Sequence, residues 1–118
     1  MSLNGKEPTE ADILPALWDV TGVPDQLDIL IEEMSELTKA IIKARRDKTI
    51  ISDEMISELV DVQLSLDGLL YEILRRGEKS FGYDPIFKMG VKRIAKLKYM
   101  EDVMNTRREQ GQTSAKNI

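Results

Sequence analysis

From Leu27 to Ile73 the apolar residues of this chain return every three or four positions, and the pattern breaks only once, across residues 47–52. That is the period of an α-helix, sustained too long for a strand, and it predicts two long helices in succession. A helix striped in this way is stable only when its apolar side is covered by other helices, so the chain is constrained to an all-helical architecture. Leu, Ile and Met dominate the apolar set and only six aromatics occur, a composition suited to helix packing.

Boundary signals extend the reading to four helices and no strands. The first is expected over 8–20, with proline tolerated in its first turn, a kink at Pro15 and a stop at Gly22. The second begins after Val23-Pro24-Asp25 and runs to Arg46, closing in the cationic run Lys43, Arg45, Arg46 and Lys48. Ser52 caps a third helix with Asp53 and Glu54 in its first turn, which ends at Arg75-Arg76-Gly77. A turn-rich connection, GEKSFGYDP, leads to a fourth helix over 84–108. The reading is one all-α domain over 1–109, a four-helix bundle, followed by a polar tail over 110–118 expected to be disordered.

Two acidic phrases interrupt these stripes: Glu32-Glu33-Met34-Ser35-Glu36, and Glu58-Leu59-Val60-Asp61 on the next helix. Each sets carboxylates three residues apart, on one helical face, where like charges repel. On the second helix Glu33 borders the apolar stripe, with Glu36 beside it and Glu32 further out, and a plain solvated acidic face accounts for all three. The third helix is different. Its apolar residues, Met55, Ile56, Leu59, Val60, Val62, Leu64, Leu66, Leu69, Leu70 and Ile73, wrap more than half of its circumference, so it is expected to be largely buried. Asp61, Glu54, Glu72 and Glu58 share the narrow remaining arc, within about 60° on a 100°-per-residue wheel. Uncompensated buried charge costs several kcal/mol per ion (roughly). A divalent cation between the two helices would offset that; salt bridges to Lys39, Lys43 or the fourth helix, or simple exposure, are the alternatives.

The chain contains no histidine and no cysteine. That removes the common zinc ligands, the imidazole general base and every Ser-His or Cys-His nucleophile. It also excludes a carboxylate-bridged di-iron bundle, which relies on Glu-x-x-His pairs. Clustered carboxylates alone select hard cations such as Mg2+ or Mn2+. A net charge of −4 disfavours a nucleic-acid surface. No run of 18 apolar residues is present to span a membrane, and the first ten residues hold no apolar signal segment, so a cytoplasmic location is expected.

The two phrases together, with the surrounding QLDILIEEMSELTKAI and SDEMISELVDVQLSLDGLL, resemble the MazG-like nucleoside triphosphate pyrophosphohydrolases of the all-α NTP pyrophosphatase superfamily. The signature of that family is EExxE followed on the next long helix by ExxD, and the resemblance covers residues 24–73. It implies that Glu33, Glu36, Glu58 and Asp61 hold Mg2+, that Glu33 or Glu36 positions or deprotonates the attacking water, and that Glu32 and Glu54 support the ligands. It further implies phosphate-binding cations on a later helix, for which Lys92, Arg93 and Lys96 are the candidates; a solvated basic face is the plainer account of that stretch. The implied reaction converts an NTP or dNTP and water to the monophosphate and pyrophosphate.

The same carboxylate framework also serves phosphoribosyl-ATP pyrophosphohydrolases and dimeric dUTPases, and a non-catalytic helical interaction module is the alternative from a different class. The apolar coverage of the third helix exceeds what one small bundle uses, which with the resemblance implies a homodimer or homotetramer. Trp18 and Phe87 are expected in the core, although Trp18, or the set Tyr71, Phe81, Tyr83 and Phe87, also has the chemistry to stack on a nucleobase.

Overall fold

Thr9 opens the first helix. Its backbone N–H and hydroxyl both donate to Asp12 Oδ2, at 2.9 and 3.0 Å, satisfying a polar group that the first helical turn cannot. The computed structural model describes residues 7–111, and among them there are four helices and no strand: α1 Glu10–Thr21, α2 Val23–Arg46, α3 Asp53–Phe81 and α4 Pro85–Glu109. The sequence placed the start of α1 two residues early because it overlooked the Thr9-x-x-Asp12 capping pair.

Gly22 serves as the C-cap of α1 and the N-cap of α2, donating its N–H to the Trp18 carbonyl at 2.8 Å. Buried Gln26 braces the corner, its side-chain amide donating to Thr21 Oγ1 at 2.7 Å. At the far end α2 closes with Thr49 N–H on the Ala44 carbonyl and Lys48 N–H on the Arg45 carbonyl, a Schellman pairing that puts Lys48 at φ +60. Ser52 caps α3 as expected, its Oγ accepting from Met55 N–H at 3.1 Å. Asp84 caps α4 in the same way through Ile86 and Phe87, ahead of Pro85.

The chain divides into two units, one ending at Arg75 and the other beginning at Arg76. In the first unit α1, α2 and the 53–75 stretch of α3 pack around Leu14, Trp18, Leu30, Ala40, Ala44 and Val62. Trp18 is 2 % exposed and lies against Gly68 so closely that a β-carbon there would sit 2.2 Å from the indole nitrogen. Arg75 ties the same two helices together, reaching Asp19 on α1 at 2.6 Å and the buried Glu72 one turn back.

Three expectations are corrected here. The third helix is not largely buried: only Val62, Gly68 and Glu72 are, while Ile56, Leu59, Val60, Leu66 and Leu74 are each about half exposed, because α1 and α2 cover only part of its wide apolar arc. The third helix does break at Gly77 as expected, but the connection beyond it is not all turn: one further helical turn runs to Phe81. Phe87 is not a core residue and is 71 % exposed, since Pro85 is the single buried residue of α4. Of the four aromatics around the connection, the second unit pairs Phe81 with Tyr83 at 5.8 Å between centroids, and Lys88 lies over the Tyr83 ring. The expected disordered tail falls mostly outside the described residues; Gln110 and Gly111 finish the last turn of α4. No described helix is long and apolar enough to cross a membrane.

Candidate metal centre

The helical periods of α2 and α3 bring the two acidic phrases face to face. Glu33 projects from the edge of the α2 apolar stripe, and Glu58 and Asp61, one turn apart, project from α3 toward it. Each of the three offers a carboxylate oxygen such that all three oxygens lie within 4.8 Å of one another. Glu33 and Glu58 are half-buried and Asp61 is exposed, so the cluster lies at the margin of the seam between the helices.

The electrostatics follow from that position. Partial burial pushes the Glu33 carboxyl above its ordinary 4.5, and the charges of Asp61 and Glu58, a side-chain hydrogen bond with Asp61, and the charge of Glu32 add to the shift. Glu58 is raised as well, by desolvation first and then by Asp61, Glu36 and Glu54. Glu32, Glu36 and Glu54 therefore bear on the site through their charge, whereas Glu72 lies away from it with Arg75.

Their compensation differs. Glu36 is exposed and has Lys39 Nζ at 3.5 Å, one turn along the same helix. Glu54 has Lys43 Nζ at 3.5 Å across the seam, one of the salt bridges considered as an alternative to metal. No ion pair among the described residues reaches Glu33, Glu58 or Asp61. The cations present satisfy the rim of the acidic cluster and leave its centre uncompensated.

Three carboxylates converging from two helices fit a hard divalent cation. Around Mg2+ only one pair among three ligand oxygens can be opposed, about 4.2 Å apart, and the other pairs are adjacent at about 3 Å, so the three side chains would draw closer together to share one ion. An all-oxygen set with no nitrogen or sulfur donor suits Mg2+ or Mn2+. Glu33, Glu58 and Asp61 form the group; Glu36 lies outside it but close enough for its charge to act on Glu58. Lys92, Arg93 and Lys96 stand exposed on α4 in the second unit. An open groove of about 330 Å3 along Val60, Gln63, Leu64, Leu66 and Asp67, with Glu10 at its edge, lies on another face of α3 and shares no residue with the cluster.

Lys43, one of the cations the sequence offers to the acidic arc of α3, pairs with Glu54 across the turn between α2 and α3; which member of the arc it takes is set by the register of the two helices. Compared with models of known protein families, with curated proteins and with solved structures, the chain finds no match in any of the three.

Proposed function

We propose that this chain is a divalent-cation-dependent nucleoside triphosphate pyrophosphohydrolase, converting an NTP or dNTP and water to the monophosphate and pyrophosphate. The observation that carries this is the trio Glu33, Glu58 and Asp61, three carboxylates from two helices held together without a protein cation. The sequence resemblance supplies the reaction; the trio supplies a reason for the site to take metal.

Glu33, Glu58 and Asp61 are the ligands, and Glu36 is assigned as a fourth that gives up Lys39 to join them. Mg2+ or Mn2+ held there offsets the charge of a triphosphate and makes a bound water more acidic. The remaining chemistry belongs to the side chains. Glu33 is one candidate to accept the proton of the water attacking the α-phosphorus, because it faces Glu58 and Asp61 in the cluster and the chain has no histidine for the task. Glu36 is the second candidate for that role. Glu32 and Glu54 act through their charge on Glu33 and Glu58 respectively. Lys92, Arg93 and Lys96 are assigned to the substrate phosphates on the resemblance alone. The half-exposed Ile56, Leu59, Leu66 and Leu74 support a further part of the reading, that the chain works as a homodimer or homotetramer.

The test is a panel of standard and modified NTPs and dNTPs with Mg2+, scored for pyrophosphate against orthophosphate. Pyrophosphate is the expected product, with EDTA abolishing turnover. Glu58→Gln with Asp61→Asn is expected to lower turnover by more than ~100-fold while helicity is kept. Orthophosphate as the primary product sinks the α-phosphorus mechanism. Absence of turnover for every nucleotide favours the interaction module, in which the acidic face docks a basic partner.

A further inference from the structure

α2 carries two apolar stripes. Gln26, Leu30, Ala40 and Ala44 are buried within the first unit. Leu27, Ile31, Met34, Ile41 and Ile42 stand exposed, by 38, 59, 43, 37 and 58 %. On a 100°-per-residue wheel the exposed set is centred about 100° away from the buried one. Together with Thr38 it falls at positions 27, 31, 34, 38 and 41, alternate steps of four and three, the spacing at which one helix packs along another. Two hydroxyls lie on or beside this face, and neither needs a partner from outside. Thr38 Oγ1 donates to the Met34 carbonyl and Ser35 Oγ to the Ile31 carbonyl, both at 2.9 Å. The face can therefore be covered without stranding a donor.

The charge along the helix identifies the occupant. Residues 23–36 hold five acids and no base, and residues 37–46 hold four bases and no acid. Two copies of α2 laid antiparallel set each acidic half against the other's basic half, whereas a parallel pair sets like against like. The stripe is symmetric under the same reversal: about Met34, Leu27 exchanges with Ile41, and Ile31 with Thr38. On the flank, Asp28 and Glu32 come opposite Lys39 of the partner subunit. Among the described residues no ion pair reaches Asp25, Asp28 or Glu32, and the pairing of Lys39 with Glu36 is an exposed one of little weight. We propose that α2 of one copy packs antiparallel on α2 of a second copy along this stripe. The inference names a surface for the homo-oligomer of the proposed function and does not need the carboxylate site to be catalytic. A monomer that turns over nucleotide fails this inference alone, and a dimer that turns over none fails the other alone.

Sedimentation and single-cysteine cross-linking test it, and no native cysteine competes. The wild type is expected to sediment as a dimer or a multiple of one. Ile31→Asp alters a side chain outside the core and is expected to weaken the association at least ~10-fold while the helical circular dichroism is kept. Met34→Cys lies beside the two-fold axis and is expected to join two copies under mild oxidation. Leu27→Cys is expected not to, because the two copies of that position lie about 20 Å apart along an antiparallel pair. Asp28→Lys and Lys39→Glu are each expected to weaken self-association, and mixing the two variants to restore it. A monomeric wild type overturns the proposal whether or not any variant folds. An oligomer that survives a folded Ile31→Asp overturns it as well, and so does Leu27→Cys joining as readily as Met34→Cys, the mark of a parallel pair.

Discussion

On the side of α3 that meets α1, the buried carboxylate of Glu72 has Arg75 against it, and Arg75 also holds Asp19. On the side that meets α2, Glu33, Glu58 and Asp61 crowd together with no cation among the described residues. The first seam is closed by close packing as well, the Trp18 indole lying on Gly68. The second leaves half-exposed leucines beside its acids. The same helix thus carries acids that the fold neutralises for itself and acids that it leaves to be neutralised from outside. Burying charge is costly wherever it occurs, so leaving the second cluster unpaired lowers the stability of the cation-free protein. Lys39 and Lys43 pair with Glu36 and Glu54 at the rim of the cluster.

The contrast can be broken most strongly at the closed seam. Gly68→Ala places a methyl 2.2 Å from the Trp18 indole nitrogen, and overpacking of this kind costs about 1–3 kcal/mol, here toward the upper end because an aromatic ring must move. Chemical denaturation reads it directly; an unchanged midpoint would mean that the seam is looser than described. The open seam is expected to respond instead to ions. Mg2+ or Mn2+ at a hundredfold excess over its Kd stabilises by about 2.7 kcal/mol, and a thermal melt with and without the ion measures it. Glu58→Gln with Asp61→Asn is expected to remove that response, and retention of it would place the ion elsewhere.

A smaller effect sharpens the comparison through pH. The Glu33 and Glu58 carboxyls titrate above their ordinary value in the folded chain, so the cation-free protein binds more protons folded than unfolded. Its stability therefore falls as pH rises from the ordinary carboxylate value through the raised folded one. Glu58→Gln removes part of that repulsion. Without metal its melting midpoint is expected to equal the wild type's in acid and to exceed it progressively toward neutrality; a difference independent of pH would refute the crowding account. The smallest expected change lies in the turn that joins the helices of the open seam. Lys48→Gly relieves an L-residue at φ +60 and is expected to stabilise by about 0.5–1 kcal/mol, read from the same denaturation curves.

Much of this was legible in the residues. Ser52, Asp84 and the Val23-Pro24 start announce helix ends through local chemistry alone, because a cap needs only its own side chain and the next turn. The facing of Glu33 with Glu58 and Asp61 was also legible, because the helical period fixes which side of each apolar stripe they occupy. What the residues did not disclose was partnership across seams. Glu72 shares the acidic arc of α3 with Glu58 on any helical wheel, yet one is buried with Arg75 and the other stands uncompensated. A wheel has no axial coordinate, and Glu72 lies fourteen positions beyond Glu58 along the helix.

The sequence by itself determined that the chain is helical, where three of the four helices begin, and that its acids gather in two phrases on adjacent helices, since all of this follows from a 3.6-residue period and local capping. Only the tertiary structure decided which acids are neutralised, that α3 keeps much of its apolar surface exposed, and that Phe87 stays outside the core. Those outcomes depend on how far α1 and α2 reach around α3 and on which long side chains span the gap. Packing between helices sets both, and no period within one helix contains that information.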